Sequence, residues 1–272
     1  MSTPHPFEIG NALIGMVHVG ALPGTPAHDG ASVEHLAAAA ADEARVLEDA
    51  GFDAIIIENM HDAPYVHGDR LGPEIVASMT RAGAEVASAV TCPLGVQILS
   101  GGNRHALAVA QAIGGTFIRC ENFVYAHVAD EGLLPDAEAG PLLRYRAAIG
   151  AASDPHRVSV FADIKKKHAS HAISADITVA DAAHAAAFFG ADGLIITGAW
   201  TGRAADPSDA RAAKDASGLP VLIGSGVTER NALEMLAVAD GVIVGSSIKE
   251  GGTWSNPVSA KKAAAFVAAA RG

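Results

Sequence analysis

Eight short apolar runs recur along this chain, at residues 13–18, 54–58, 94–99, 116–120, 158–163, 194–197, 221–224 and 242–245, and the gaps between them mostly read as helices. The runs are mostly β-branched and continuous, as in Ile55-Ile56-Ile57 and Leu194-Ile195-Ile196, rather than alternating apolar with polar residues. Parallel strands buried on both faces read this way. Helices are expected over 33–50, 73–90, 103–113, 141–151, 179–189 and 207–216, with a short one after Thr228 and a last one over 258–270. Ser32 and Gly51 suit the two ends of the first helix, Pro73 the start of the second, and Thr228 the N-cap of the seventh. Eight alternations in 272 residues predict one α/β domain over 1–272, a closed (β/α)8 or TIM barrel, rather than an open doubly wound sheet. No GxGxxG follows the first run, and no Ser/Gly-rich tether divides the chain.

Charge and cysteine usage narrow the function classes. The formal net charge of -11 argues against a general nucleic-acid surface, which needs a basic face. Cys92 and Cys120 form no disulfide framework and no CxxC, which predicts a cytoplasmic protein. The first ten residues lack an apolar signal core, and no apolar run approaches the length of a membrane span. Alanine-rich stretches at 37–41 and 263–270 allow close helix packing, and a homo-oligomer is expected from them.

In such a barrel the chemistry sits at the C-terminal ends of the strands. The seventh and eighth runs end in Gly224-Ser225-Gly226 and Gly245-Ser246. Glycine lets a backbone approach an anion closely, and N–H groups at a following helix start donate to phosphate oxygens. These five residues are the candidate phosphate cradle; plain tight-turn glycine is the bland alternative. The other strand ends offer His18, Glu58 with Asn59, Arg119, and Thr197 followed by Thr201. The fifth is the richest, with Asp163, Lys165, Lys167 and His168.

Several roles remain open on this pattern. Asp163 beside lysines suits a general base with an ammonium to stabilise an enolate or phosphate. A buried lysine, Lys165 or Lys167, could instead lose its proton and form a Schiff base. Alternation places Asp163 and Lys165 on one side if the strand persists, with Lys166 pointing away. Glu58 ends an isoleucine run, so burial should raise its pKa; a structural salt bridge to Arg119 is the alternative. His18 and His168 are candidates for a second acid/base. Arg119, Asn59, Lys165, Thr197 and Thr201 are candidate ligand contacts, and Trp200 a ring on a mobile lid. No cofactor is expected. His18, Glu58, Asp163 and His168 could meet at a divalent metal, but no HxH or HExxH spacing announces one. Cys120 beside Arg119 reads as a small buried residue rather than a nucleophile.

Taken together the residues resemble the BtpA/SgcQ family over roughly residues 12–268. The resemblance rests on Ile14-Gly15-Met16-Val17-His18 with Leu22-Pro23-Gly24, Glu58-Asn59, Asp62, Pro64 and Tyr65, Phe117-Ile118-Arg119, and Asp163 with Lys167-His168. It continues through Thr197-Gly198, Thr201-Gly202, Gly224-Ser225-Gly226-Val227, the run from Gly241 to Ser246, and Asn256-Pro257-Val258. Cys120-Glu121-Asn122 departs from the family pattern, which favours valine and asparagine there. The resemblance implies a barrel akin to ribulose-phosphate-binding enzymes and a phosphorylated sugar or related metabolite as ligand. An isomerase, epimerase or lyase reaction suits the residues gathered above. The family name, from photosystem I biogenesis, implies an assembly or regulatory factor as the alternative. A metal-dependent phosphohydrolase is a further alternative.

Overall fold

Buried, β-branched runs place every barrel strand close to its expected position. The computed structural model describes residues 6, 7, 10–198, 200 and 203–272. In chain order the strands are β1 (Ala12–His18), β2 (Ala54–Glu58), β3 (Leu94–Gln97), β4 (Phe117–Cys120), β5 (His127–Ala129), β6 (Gly132–Leu134), β7 (Ser159–Ile164), β8 (Ala169–Ser170), β9 (Gly193–Ile196), β10 (Val221–Ile223) and β11 (Gly241–Val244). Eight of them close a parallel barrel in the order β1-β11-β10-β9-β7-β4-β3-β2. The helices are α1 (Val33–Ala50), α2 (Pro73–Ala89), α3 (Asn103–Ile113), α4 (Ala139–Ala148), α5 (Val179–Phe188), α6 (Pro207–Ser217), α7 (Ala232–Leu236) and α8 (Ala260–Arg271). The remaining strands, β6-β5-β8, form a small antiparallel sheet. The sequence reading did not anticipate it, because strands of two or three residues carry no usable periodicity.

The caps explain the helix limits. Ser32 accepts from His35 N–H at 3.2 Å, and Gly51 takes the left-handed conformation (φ 97°) that lets it close α1. Pro73 opens α2. The expectation for Thr228 was wrong. Asn231 precedes α7, and its Oδ1 accepts from both Thr228 N–H and Thr228 Oγ1, so Thr228 belongs to the preceding turn.

Side-chain parity builds the barrel interior and then the site above it. Alternate residues face inward along each strand. One buried cluster joins Ala12, Ile14 and Met16 of β1 with Ala54, Ile56, Phe117, Phe161, Ile195, Leu222 and Ile243. Phe7 packs into the same cluster, 5.3 Å from Phe117 and 5.5 Å from Phe161 between ring centroids. One step further along each strand, the same parity reaches His18, Glu58, Gln97, Arg119, Asp163, Thr197, Gly224 and Gly245. The polar layer is therefore the continuation of the apolar one.

Two glycines make room for the interior rings. A Cβ on Gly95 would collide with the Phe117 ring, and one on Gly193 with the Phe161 ring. Gly193→Ala is expected to cost about 1–3 kcal/mol through overpacking. Thermal denaturation checks this; an unchanged Tm would mean that Phe161 repacks freely.

Candidate active site

A cavity of about 520 Å³ opens over the C-terminal ends of the barrel strands. Its floor and one wall come from Met16, His18, Glu58, Met60, Arg119 and Lys167. The β10 and β11 loops, Gly224–Thr228 and Gly245–Ser247, form a second wall. Glu229, Arg230, Gly252 and Lys262 complete the rim.

His18 and Glu58 end adjacent strands in direct register and are both buried. His18 Nδ1 lies 2.9 Å from the Trp254 carbonyl oxygen. A carbonyl only accepts, so Nδ1 carries the proton and the neutral ring turns its Nε2 lone pair outward. Burial, with the nearby Lys249 charge, holds the His18 pKa down to about 3. Nε2 lies 3.5 Å from Glu58 Oε2. Burial pushes the Glu58 carboxyl up, against the pull of Arg119 and Lys167. A neutral histidine thus faces a carboxyl group predisposed to keep its proton, a pair suited to passing one proton to and from a ligand.

Arg119 and Asp163 are a buried ion pair. Arg119 Nε donates to both Asp163 oxygens, at 3.2 and 3.1 Å. Burial opposes the guanidinium charge, yet Asp163 and then Glu58 hold the Arg119 pKa above its ordinary range. Asp163 does not line the cavity. Its carboxylate pairs with Arg119, and burial pushes its pKa up against the pull of that guanidinium. A salt bridge from Arg119 to Glu58, the alternative reading of Glu58, is not formed; Asp163 takes that place.

The three lysines after β7 separate sharply. The strand stops at Ile164, and Lys165 adopts φ 49°, a left-handed conformation that breaks the alternation. Lys165 consequently borders a recess with Tyr125, His127 and His171, outside the main cavity. Lys166 does point away from the mouth, but into the protein, 3.1 Å from Glu121 Oε1. Lys167 is the one that lines the cavity. Its N–H donates to Thr197 Oγ1 at 3.0 Å, so Thr197 holds the backbone that presents Lys167.

The Gly/Ser loops behave in two ways. The Ser225 hydroxyl accepts from Gly198 N–H at 2.7 Å and donates to the Arg203 carbonyl at 3.0 Å. It braces the loop after β9 from a position in the cavity lining. Gly226 has φ 67°, and a Cβ there would collide with the backbone of Arg203 and Ala204, so only glycine fits. Among the described residues, the amides of Ser225, Gly226, Ser246 and Ser247 donate to no protein acceptor. A Cβ on Gly245 would lie 3.5 Å from the His18 ring, which puts the phosphate-type loop beside the acid/base pair.

Other expected residues lie elsewhere. Asn59 is fully buried and donates to Asp62 Oδ2 and the Leu99 carbonyl while accepting from Leu99 N–H, so it ties the β2 and β3 loops together. His168 lies 3.7 Å from Asp130 Oδ2 and edge-on to Trp200, outside the cavity lining. Trp200 is exposed and does not cover the cavity. Thr201 lies outside the described residues. Burial pushes the Cys120 thiol well above its usual pKa, as an inert core residue requires. Among the described residues no group of three or more His, Cys, Asp or Glu side chains is placed to hold a metal ion. No helix there is long and apolar enough to cross a membrane.

Two contributors, Trp254 and Gln97, escaped the sequence reading. Trp254 fixes the His18 tautomer through a backbone carbonyl, which no side-chain pattern announces. Glu121 anchors Lys166 and accepts from Gly101 N–H at 2.7 Å, so burial is outweighed and its pKa lies below the usual carboxylate range. Gln97 is buried, and its Oε1 has no partner among the described residues. Parity from Gly95 would have found it.

A BtpA family profile matches residues 9–272. An uncharacterised protein of Caenorhabditis elegans named as mitochondrial is 42% identical over 260 residues, covering 94% of this chain and 91% of that protein. The Photosystem I biogenesis protein BtpA of Synechocystis is 35% identical, covering 97% of this chain and 89% of its own length. Among solved structures, the (S)-3-O-geranylgeranylglyceryl phosphate synthase of Thermoplasma acidophilum, in complex with sn-glycerol-1-phosphate, superposes with TM-score 0.60 at 16% identity, covering 96% and 93% of the two chains. The N-(5'-phosphoribosyl)anthranilate isomerase of Pyrococcus furiosus superposes with TM-score 0.57 at 13% identity, covering 96% and 98%. The structural likenesses describe the barrel; the sequence matches, spanning nearly its whole length, make this chain a member of the BtpA family.

Proposed function

We propose that this protein is an enzyme acting on a phosphorylated sugar-like metabolite, moving a proton at a carbon beside a carbonyl in an isomerase, epimerase or lyase reaction. The observation that carries the reading is the cavity in which loops with unclaimed amides face His18, Glu58, Arg119 and Lys167. Gly226, Ser246 and Ser247 hold the phosphate through backbone N–H groups, with Gly224 and Gly245 leaving the approach open. Glu58 and His18 exchange the proton, and Arg119 faces the oxygen on which charge develops. Two structural neighbours are named for phosphorylated molecules, which supports the ligand class. The protein works in the cytoplasm, where its two free cysteines stay reduced, and its helices pair it with further copies of itself.

A second reading, a non-catalytic assembly or regulatory factor, draws on the name of the Synechocystis relative and on Phe188 and Phe189 at the end of α5, which are 80% and 52% exposed.

Ligand-induced thermal stabilisation tests between them. Inorganic phosphate and sugar phosphates should raise Tm, because a ligand bound only to the folded state stabilises it by mass action. Ser246→Asp places a carboxylate among the phosphate donors and should abolish that rise while leaving the unliganded Tm near wild type. No rise in the wild type with any phosphate would move the assignment to the assembly factor.

A further inference from the structure

Beyond the proton chemistry just proposed, and resting on that reading of the ligand, we infer that Lys167 is a nucleophile that forms an imine with the carbonyl carbon of the phosphorylated ligand. Five lysines lie near the C-terminal face: Lys262 stands half-buried on α8 at the cavity rim, and three others are placed away from the cavity. Lys166 is paired with Glu121, Lys249 is paired with Glu43 at 2.8 Å, and Lys165 borders the separate recess. Lys167 reaches the cavity from a backbone pinned by Thr197. Among the described residues no carboxylate comes within the 4.0 Å ion-pair distance of its ammonium nitrogen. Arg119 occupies the same floor, and its own carboxylate partner is already committed to it.

These surroundings favour the free amine. Burial lowers the Lys167 pKa, and the neighbouring Arg119 charge lowers it further. An unprotonated lysine in a pocket with a second cation is the arrangement that activates an amine toward carbonyls. The acid and base that the reaction needs line the same cavity.

The step balances without any further reagent. The Lys167 Nζ lone pair forms a bond to the carbonyl carbon, and the carbonyl π electrons move to oxygen, which takes the Glu58 proton. His18 Nε2 accepts a proton from the resulting ammonium. The nitrogen lone pair then forms the C=N bond and expels the hydroxyl group, which leaves as water with a proton from His18. The cationic imine gives up its remaining N–H proton to Glu58, which restores the acid. The sum is carbonyl plus amine giving imine plus water.

The test is reductive trapping of the whole protein with sodium borohydride in the presence of dihydroxyacetone phosphate or pyridoxal 5'-phosphate, followed by peptide mass mapping. The expected result is a reduced adduct on Lys167 that excess inorganic phosphate suppresses and that is lost in a Lys167→Arg variant whose Tm matches wild type. If inorganic phosphate raises Tm but neither carbonyl probe labels Lys167, or only other lysines are labelled, the imine is overturned and the phosphate-enzyme reading stands. If phosphate gives no Tm rise and no adduct forms, both are overturned.

Discussion

Glu58→Gln is expected to slow proton transfer by about 10²–10⁴-fold while leaving phosphate binding in place. Glutamine keeps the size and polarity of the side chain and removes only its titrating proton. Glu58 does not belong to the phosphate wall, so the thermal shift with inorganic phosphate should survive. Solvent-deuterium incorporation into a bound sugar phosphate, followed by NMR, reads the proton step directly. The pH profile adds a second signature. Burial raises the folded-state pKa of Glu58, so its acid form persists above the ordinary carboxylate range and is lost as pH rises through the raised value. A rate that needs this acid should fall on that limb in the wild type, and the limb should vanish in Glu58→Gln. Unchanged exchange in the variant would remove Glu58 from the mechanism.

Asp163→Ala is expected to destabilise the protein by about 3–5 kcal/mol, because it leaves the buried Arg119 charge without its partner. For a chain of this size that corresponds to a fall in Tm of roughly 10 °C. The double variant Asp163→Ala with Arg119→Met should recover much of the loss, since removing both charges leaves none uncompensated. It should not recover the proposed activity, because methionine puts no charge where Arg119 lines the cavity. Equal Tm values for the single and double variants would show that the pair is not the source of the loss. A single variant that folds normally and merely stops turnover would instead make Asp163 the base.

How the chain announces its fold differs from how it announces its site. The eight barrel strands are legible because burial on both faces demands unbroken apolar, β-branched runs, and Ile55-Ile56-Ile57 satisfies that demand locally. His18, Glu58 and Arg119 are legible for the same reason, as the inward residue that follows the last apolar layer. The lysines are not. Their placement depends on Lys165 taking a left-handed conformation, a single dihedral that alternation cannot foresee and that hands the cavity to Lys167. Ser225 is ambiguous for another reason. A hydroxyl beside glycines suits a phosphate and a loop brace equally, and only the positions of Gly198 and Arg203 decide between them.

The hydrogen bond from His18 to Trp254 joins positions 236 residues apart. During synthesis the imidazole leaves the ribosome with the first strand, long before the carbonyl that selects its tautomer exists. A nascent chain holding most of the barrel therefore has the histidine but not the acceptor that fixes its tautomer. The tautomer is fixed only once the loop carrying Trp254 docks against the first strand.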